Sequence, residues 1–379
     1  MNIGIVGAGI GGLSAAIALQ KKGHDVQLFE QASQIKAVGA GLVLAANAMY
    51  ALSLLGLDKR VEEIGQWIGG VAVLDYKGKV LMGTNFKGHK DQRIGQRFSV
   101  HRAELHAILR DELKPETLRL GQQCVRFSQH EKTIEVVLAS GERKIVDVLV
   151  AADGLHSPLR QQIWPDTTLR YAGYTCWRGV IPQKSLSEPI TGFSESWGVG
   201  RRFGLVPLAQ DRLYWFACTN AMPRDAHMEA MTPDGLRRLF CDFHAPIPEV
   251  LKKTQKEEMH WADIYDLKPL QKFFDKHLVL LGDAAHGTTP NMGQGACMAI
   301  EDALVLAKVL GEEPRLESAL QLYQLKRWAR VQKVVKMSRQ IGVVAHKCPE
   351  AFLPLRNALL RKMPASEKQL HWLFSTNWY

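Results

Sequence analysis

The chain has 379 residues, of which 46% are hydrophobic and 23% are charged, and it carries a formal net charge of +10. This length and composition predict a globular protein with a large core and two closely joined domains. The positive charge favours anionic partners in general. No apolar run reaches the length of a membrane span, and the N-terminus lacks a basic leader, so we expect a cytoplasmic protein without integral membrane contact.

The cysteines and the basic residues exclude further classes. The six cysteines show no CxxC pair and no Cys/His ligand spacing, so we predict reduced thiols and no metal site. The densest basic residues recur at helical spacing near the C-terminus and are Lys326, Arg327, Arg330, Lys333, Lys336 and Arg339. We interpret them as a solvated helix face and predict no nucleic-acid partner.

The N-terminus predicts a dinucleotide-binding βαβ unit. A short apolar strand leads into a turn that contains Gly7, Gly9 and Gly12, and an Ala/Leu-rich helix follows. A second strand, residues 25–29, ends at Glu30. Gly7 permits the tight turn, Gly9 lets a pyrophosphate approach the backbone, and Gly12 allows close helix packing. Glu30 can accept hydrogen bonds from ribose hydroxyls, although the motif by itself does not distinguish FAD from NAD.

Two later apolar strands each end in a pair formed by an acid and a glycine. Asp153 and Gly154 follow one strand, and Gly282 and Asp283 follow the other. Each pair alone is ordinary turn chemistry. Together with the N-terminal motif, the two pairs favour a cofactor site.

The middle of the chain predicts a substrate-binding sheet. Residues 171–218 consist of apolar and aromatic runs separated by turn residues, as in antiparallel strands. Arg202 on one strand and Tyr214 on the next could converge, with Arg202 pairing with an anionic group and Tyr214 supplying a hydrogen bond. The alternative is an arginine at a sheet edge and a tyrosine in the core, because the strand register decides which face each occupies. Trp177 and Arg178 are weaker candidates of the same kind.

Glycines open a second helix after Asp283. Pro290 would rigidify the approach, and Gly293 and Gly295 precede the helical run ACMAIEDALVLAKVL. The free N–H groups at the start of this helix could hold the negative charge of a reduced flavin. We assign His286 no chemistry, because a lone histidine beside a turn is usually a structural hydrogen-bonding group.

The chain after Gly311 is mainly helical. Its periodicity predicts one broad apolar face, interrupted by Gln332, whose members are Leu322, Leu325, Trp328, Ala329 and Val335.

The ordered trio of GxGxxG, Asp153-Gly154 and Gly282-Asp283 segments resembles the fingerprints of the class A flavoprotein aromatic hydroxylases, the family that contains para-hydroxybenzoate and salicylate hydroxylases. The resemblance implies an α/β fold, with a Rossmann-like FAD-binding domain, an inserted and mainly antiparallel β-sheet substrate domain, and a C-terminal helical segment. We place the discontinuous FAD-binding domain at residues 1–75, 99–170 and 276–310, the substrate domain at 76–98 and 171–275, and the helical segment at 311–379.

The resemblance also implies residue roles and a reaction. Glu30 would bind the adenosine ribose, Arg102 in the SVHRAEL segment would lie beside the FAD, Asp153 would serve FAD and NAD(P)H binding, and Asp283 would bond to the ribityl chain. NADPH or NADH would reduce the FAD, and O2 would then form a flavin C(4a)-hydroperoxide that hydroxylates a small aromatic or heteroaromatic, possibly anionic, substrate. Relatives that act on urate carry an acid where this chain has Asn291. We expect a monomer or a homodimer.

Two other classes of function stay open on the sequence. An FAD-dependent oxidase or dehydrogenase would pass electrons to O2 without oxygen transfer, and its signature is stoichiometric hydrogen peroxide. A non-enzymatic flavin-binding redox sensor would carry the same motifs without a substrate cavity.

Overall fold

The computed structural model describes residues 1–35, 40–86, 95–362, 367–375 and 378–379. The predicted substrate-domain segment 76–98 and the predicted helical segment 311–379 therefore lie partly outside the described residues. The strands, in chain order, are β1 (Asn2–Val6), β2 (Asp25–Phe29), β3 (Gly41–Leu44), β4 (Gln66–Trp67), β5 (Gly70–Asp75), β6 (Val80–Asn85), β7 (Phe98–His101), β8 (Leu118–Arg119), β9 (Cys124–Gln129), β10 (Ile134–Leu138), β11 (Arg143–Val146), β12 (Val148–Ala151), β13 (Leu169–Pro182), β14 (Phe193–Trp197), β15 (Arg201–Leu208), β16 (Arg212–Asn220), β17 (His260–Leu267), β18 (Phe274–Asp275) and β19 (Leu278–Leu280).

Helices connect and cover these strands. They are α1 (Ile10–Lys21), α2 (Ala46–Leu54), α3 (Asp58–Ile64), α4 (Arg102–Asp111), α5 (Pro158–Ile163), α6 (Ala226–Glu229), α7 (Pro233–Leu239), α8 (Ile247–Lys253), α9 (Asp283–His286), α10 (Gly295–Glu312), α11 (Leu316–His346), α12 (Leu353–Lys362) and α13 (Glu367–Phe374). No helix among the described residues is long and apolar enough to cross a bilayer.

The first layer is a six-stranded, mostly parallel sheet with the order β18-β19-β12-β1-β2-β8. Strand β1 pairs in parallel with β2 on one side and with β12 on the other. Its side chains are buried, as the apolar runs predict for strands that are covered on both faces. Helix α1 packs against α10 beside this sheet. The predicted βαβ unit is therefore present, and β2 has the predicted bounds.

The second layer is a seven-stranded mixed sheet with the order β17-β13-β16-β15-β14-β5-β6. The predicted antiparallel strands in the middle of the chain form its centre. Alternate residues of β13, β15 and β16 pack with α7 and α8 into an apolar cluster on the outer face. Strand β5 pairs in parallel with β14, so residues 70–75 belong to this sheet and not, as the boundary at residue 75 implied, to the nucleotide domain.

Helix α11 buries a different face from the predicted one. Leu325 is 77% exposed and Trp328 is 37% exposed, although Val335 is buried as predicted. The buried face contains Arg327 and Arg330. The prediction of a solvated basic face was therefore wrong for these two arginines. Carboxylates on α10 neutralise them, and apolar periodicity carries no signal for such pairing.

Candidate active site

The N-terminal glycine turn is built as the motif predicts. Gly7 has a φ of +99°, a conformation that favours glycine. A Cβ on Gly12 would lie 1.9 Å from the carbonyl oxygen of Gly7, so only glycine lets α1 approach the turn this closely. A Cβ on Gly9 would meet no atom within 4 Å. The space beside Gly9 is thus open at the N-terminus of a 12-residue helix, where an anionic group is stabilised.

Two carboxylates flank this turn. Glu30 accepts hydrogen bonds from the backbone N–H groups of Ala8, at 2.8 Å, and Ala32, at 2.9 Å, which hold its carboxylate beside the turn. Asp153 lies against Gly7 on the other side. One Asp153 oxygen accepts from the N–H of Leu159, whereas its Oδ1 is buried without a partner among the described residues. Burial raises the pKa of Asp153, against the opposing hydrogen bonds from Ser157 and from the Leu159 N–H.

A third carboxylate, Asp283, begins α9 directly after Gly282, which has a φ of +63°. Its side chain is in contact with solvent. Desolvation by the protein packed around the carboxylate raises the pKa of Asp283, against the opposing charges of His286 and Arg102. Arg102, the first residue of α4, is exposed and close enough to act on Asp283.

The predicted loop before α10 lies close to Asp283. Gly293 has a φ of +62°, and a Cβ there would meet nothing within 4 Å. Gly295 begins α10, and a Cβ on it would lie 3.8 Å from an Asp283 oxygen. Pro290 is exposed at the start of the turn. The open backbone at Gly9 and Gly293, together with the unpartnered Asp153 oxygen, fits a long dinucleotide such as FAD.

We expect Asp283→Ala to weaken FAD retention by about 1.5 to 3 kcal/mol, or roughly 10- to 150-fold in Kd, through loss of a charge-assisted hydrogen bond. Fluorescence titration of the apoprotein with FAD measures this. Asp234→Ala, on the outer helix α7, is the matched control and should bind FAD as the wild type does. Equal affinities for both variants would assign Asp283 to a plain turn.

The strand register decides the orientation of the predicted substrate residues. Arg202 lies opposite Cys218, and Tyr214 lies opposite Val206, so the two side chains share one face of the sheet. A Cβ on Gly41 of β3 would overlap the Tyr214 ring, so this face looks toward the nucleotide domain. We call it the cleft face, and its members on the three central strands are Cys176, Arg178, Val180, Arg202, Gly204, Val206, Tyr214, Phe216 and Cys218.

The two weaker candidates, Arg178 and Trp177, lie on opposite faces of the sheet. Arg178 lies opposite Phe216 and is on the cleft face. Trp177, one residue earlier, packs in the outer apolar cluster, and its indole N–H donates to the carbonyl of Met228. Trp177 is therefore a core residue and does not face the cleft.

Arg202 is buried within a network of protein partners instead of facing open space. It is 2% exposed, and it donates to Glu195 at 2.9 Å, to His346 at 2.8 Å and to Asn291 at 2.7 Å. His346 also stacks on Tyr174 with ring centroids 4.1 Å apart. Burial and the Arg202 charge lower the pKa of His346 to about 2, so the imidazole is neutral. The Arg202 guanidinium, which the sequence predicted as a substrate anchor, is thus hydrogen-bonded to protein side chains instead.

Asn291 connects this network to the loop before α10. Its Oδ1 accepts from Arg202 and from the Tyr174 hydroxyl at 2.9 Å, and its amide donates to Ser338 and Thr289. An aspartate at this position would place an oxygen against the Ser338 carbonyl. The chain therefore requires the amide here. The sequence showed Asn291 as a departure from urate-hydroxylating relatives but gave no sign of its partners.

Arg178 and Tyr214 are the cleft-face donors left for a ligand. In the described part of the chain, Arg178 is half-buried and pairs with no carboxylate, and its side chain hydrogen-bonds to Cys176. Tyr214 is 9% exposed, and its hydroxyl has no partner among the described residues. Val180 and Phe216, both partly buried, lie beside them. A cation and a hydroxyl surrounded by apolar side chains are suited to bind a flat ring that carries an oxygen substituent.

The sequence analysis did not predict a buried cluster of charged side chains on α10 and α11. Glu301 is fully buried and pairs with Arg327 at 2.7 Å and with Arg330 at 2.8 Å. Asn47 donates both to Glu301 and to Gln294, the residue that precedes α10. The cluster therefore holds the N-terminus of α10 in place.

Asp302 holds the segment around Gly282 and His286 in place. It accepts from Arg327 at 2.6 Å, from His286 at 2.6 Å and from the backbone N–H of Gly282. Burial raises the pKa of Asp302, but the His286 and Arg327 charges outweigh that effect and lower it to about 2. His286 occupies a structural position, 3% exposed and bonded to Asp302.

Comparison with known proteins identifies the class. The FAD binding domain family matches residues 1–338. The chain is 37% identical to Aurachin C monooxygenase/isomerase of Stigmatella aurantiaca, over 96% of this chain and 94% of the relative. It is 34% identical to 2-heptyl-3-hydroxy-4(1H)-quinolone synthase of Pseudomonas aeruginosa, over 98% and 97%.

A solved structure agrees with these relatives. The crystal structure of Klebsiella pneumoniae HpxO complexed with FAD and uric acid is similar, with a TM-score of 0.89, 28% identity, and coverage of 99% of this chain and 96% of that one. The chain belongs to the FAD-binding family of class A aromatic hydroxylases. It is an FAD-dependent monooxygenase, and NADH or NADPH is its reductant.

Proposed function

We propose that the protein hydroxylates a ring carbon of a small heteroaromatic compound that carries an oxo or enolate oxygen, and that an alkyl-substituted 4(1H)-quinolone is the first candidate. The observation that carries this proposal is that Arg178, which no carboxylate binds, and the Tyr214 hydroxyl lie together on the cleft face beside apolar side chains. The name of the Pseudomonas relative describes a product with a hydroxyl group beside the ring oxo group and with a heptyl chain.

The overall reaction inserts one atom of O2. A ring C–H, O2, NAD(P)H and a proton become a ring C–OH, water and NAD(P)+. Bound FAD would supply the electron transfer and the activation of O2. Two sets of residues would hold the FAD. The set at the first glycine turn and beside α4 consists of Gly7, Gly9, Gly12, Glu30, Arg102 and Asp153. The set at the loops that lead into α9 and α10 consists of Gly282, Asp283, Pro290, Gly293 and Gly295.

The cleft face would bind and orient the substrate. Arg178 would donate to the oxo or enolate oxygen and so favour loss of a ring proton to solvent, since the resulting enolate has the higher electron density at the adjacent carbon. Tyr214 would donate or accept a second hydrogen bond. Val180, Val206 and Phe216 would pack against the ring and exclude water. These groups fix the reacting carbon, and small displacements carry large losses of rate.

Arg202 would act one step away from the substrate. We propose it as a positioning residue, because it holds Asn291 and thereby the loop that leads to Gly293. The free thiols fit a reducing cytoplasm, and we expect a monomer or a homodimer.

The test is a substrate panel with the FAD-loaded protein. NADH and NADPH oxidation is followed with 2-heptyl-4(1H)-quinolone, urate and 3-hydroxybenzoate, and the products are analysed by mass spectrometry under 18O2. We expect the quinolone to stimulate oxidation and the label to appear in its product.

Three other outcomes distinguish the alternatives. Stimulation by 3-hydroxybenzoate alone would overturn the substrate class but not the monooxygenase reaction. Stoichiometric hydrogen peroxide without labelled product would indicate an oxidase. Failure of every candidate to promote flavin reduction would indicate a redox sensor.

A further inference from the structure

Two cysteines face each other on the cleft face. Cys176 of β13 and Cys218 of β16 are directly opposed partners in an antiparallel ladder, and both are buried. Directly opposed residues have Cα atoms about 4.5 or 5.5 Å apart. Disulfides require about 4.4 to 6.8 Å. The two thiols can therefore be joined without movement of the strands.

The surroundings activate one of the two thiols. Arg202 lies 3.9 Å from the Cys218 sulfur, and Arg178 lies beside Cys176. A hydrogen bond from Cys218, together with the charges of Arg178 and Arg202, lowers the pKa of Cys176 despite its burial. The pKa of Cys218 is raised well above its usual value. These shifts favour the thiolate at Cys176 and the thiol at Cys218, the arrangement of redox-sensitive dithiols.

The position of the pair supplies both a route and an oxidant. Cys176 and Cys218 lie in the same row of side chains as Arg178 and Phe216, which are partly exposed. Cys176 and Cys218 are themselves 2% and 1% exposed, so hydrogen peroxide would have to enter along this row from Arg178 and Phe216. A flavin monooxygenase releases hydrogen peroxide when oxygen is not transferred to substrate, so the side reaction of the enzyme would supply the oxidant.

We infer that Cys176 and Cys218 form a peroxide-reactive modification site that closes to a cross-strand disulfide. The Cys176 thiolate attacks hydrogen peroxide, the O–O bond breaks, and sulfenic acid and hydroxide form. The Cys218 thiol then displaces the sulfenic oxygen as water, and the S–S bond forms. Two thiols are oxidised by two electrons, and one peroxide is reduced.

Closure changes the cleft face itself. The disulfide removes the thiolate that faces Arg178 and ties two strands together beneath Phe216. Because closure alters the surroundings of Arg178, and resting here on the proposed role of Arg178 in substrate binding, we expect the oxidised enzyme to lose activity and dithiothreitol to restore it.

The experiment treats the FAD-loaded protein with added hydrogen peroxide, so its result does not depend on the monooxygenase reaction or on the substrate. Remaining thiols are alkylated after unfolding, and peptides are analysed by mass spectrometry. We expect a linked Cys176–Cys218 peptide pair, lighter by two hydrogen atoms, that dithiothreitol separates. The more accessible Cys241 and Cys348 serve as internal controls and should stay reduced at the same peroxide concentration.

Single variants order the two steps. In Cys218→Ser, dimedone should trap a sulfenic acid on Cys176, whereas in Cys176→Ser the Cys218 thiol should stay alkylatable. Retained FAD absorbance and circular dichroism confirm that both variants are folded. Oxidation of Cys241 or Cys348 while Cys176 and Cys218 remain fully alkylatable would overturn the inference, as would equal dimedone labelling of both variants.

Discussion

Replacing Arg178 by alanine is expected to lower kcat/KM for the aromatic substrate by about 10- to 150-fold, which corresponds to loss of a charged hydrogen bond worth roughly 1.5 to 3 kcal/mol. FAD affinity should not change. The expectation rests on the proposal that Arg178 is the cation left for a ligand on the cleft face. A substrate without this anchor would be misplaced, so more NAD(P)H should yield hydrogen peroxide and less should yield product.

Two further variants make this result specific. Arg178→Lys should recover part of the loss, because an ammonium keeps the charge but lacks the planar fork of the guanidinium. Arg201→Ala is the matched control, since Arg201 lies on the same sheet but pairs with Asp242 and contacts the outer rings of Phe240 and Phe243. Wild-type coupling and kcat/KM in Arg178→Ala would exclude Arg178 from substrate binding.

The second prediction concerns stability. Arg327→Met should lower the free energy of unfolding by about 3 to 5 kcal/mol, because it leaves Asp302 and Glu301 buried with a missing partner. Urea unfolding, followed by circular dichroism, measures the change. Because Asp302 also holds Gly282 and Glu301 holds Asn47, weaker FAD binding should accompany the loss.

Lys336→Met provides the control on the same helix. Lys336 is exposed on α11, so its replacement should change the free energy of unfolding by no more than about 0.5 kcal/mol. Equal effects of the two substitutions would mean that the buried ion cluster contributes nothing specific to the fold.

Local signals predicted the nucleotide half of the protein. The apolar strand, the three glycines and Glu30 lie within thirty consecutive residues. The conformation or contact that each of these residues needs depends on that residue itself or on a near neighbour in sequence. Gly12 illustrates this, because its contact is the carbonyl of Gly7, five residues earlier. The strands of the substrate sheet were also predictable, since β-branched and aromatic runs between turns are a local property.

The interpretation of charged residues depended on partners far away in sequence. The sequence predicted Arg202 as a substrate anchor and Arg327 as part of a solvated helix face. In the interior of the structure, Glu195 and Asn291 bind Arg202, and Asp302 binds Arg327. The periodicity of polar residues along a helix is the same whether an arginine is buried or exposed. Only the tertiary structure shows which arginine is paired with a carboxylate.

The sequence by itself determined the class of cofactor site, because a dinucleotide is held by backbone geometry and glycine placement along short segments. The tertiary structure alone decided which cation on the cleft face is left without a carboxylate partner. Strand register sets Arg178, Tyr214 and the Cys176–Cys218 pair on one face and Trp177 on the other, and pairing across the sheet occupies Arg202. The physical reason is that side-chain direction alternates along a strand with a period of two, so a residue's neighbours are chosen by the strands beside it.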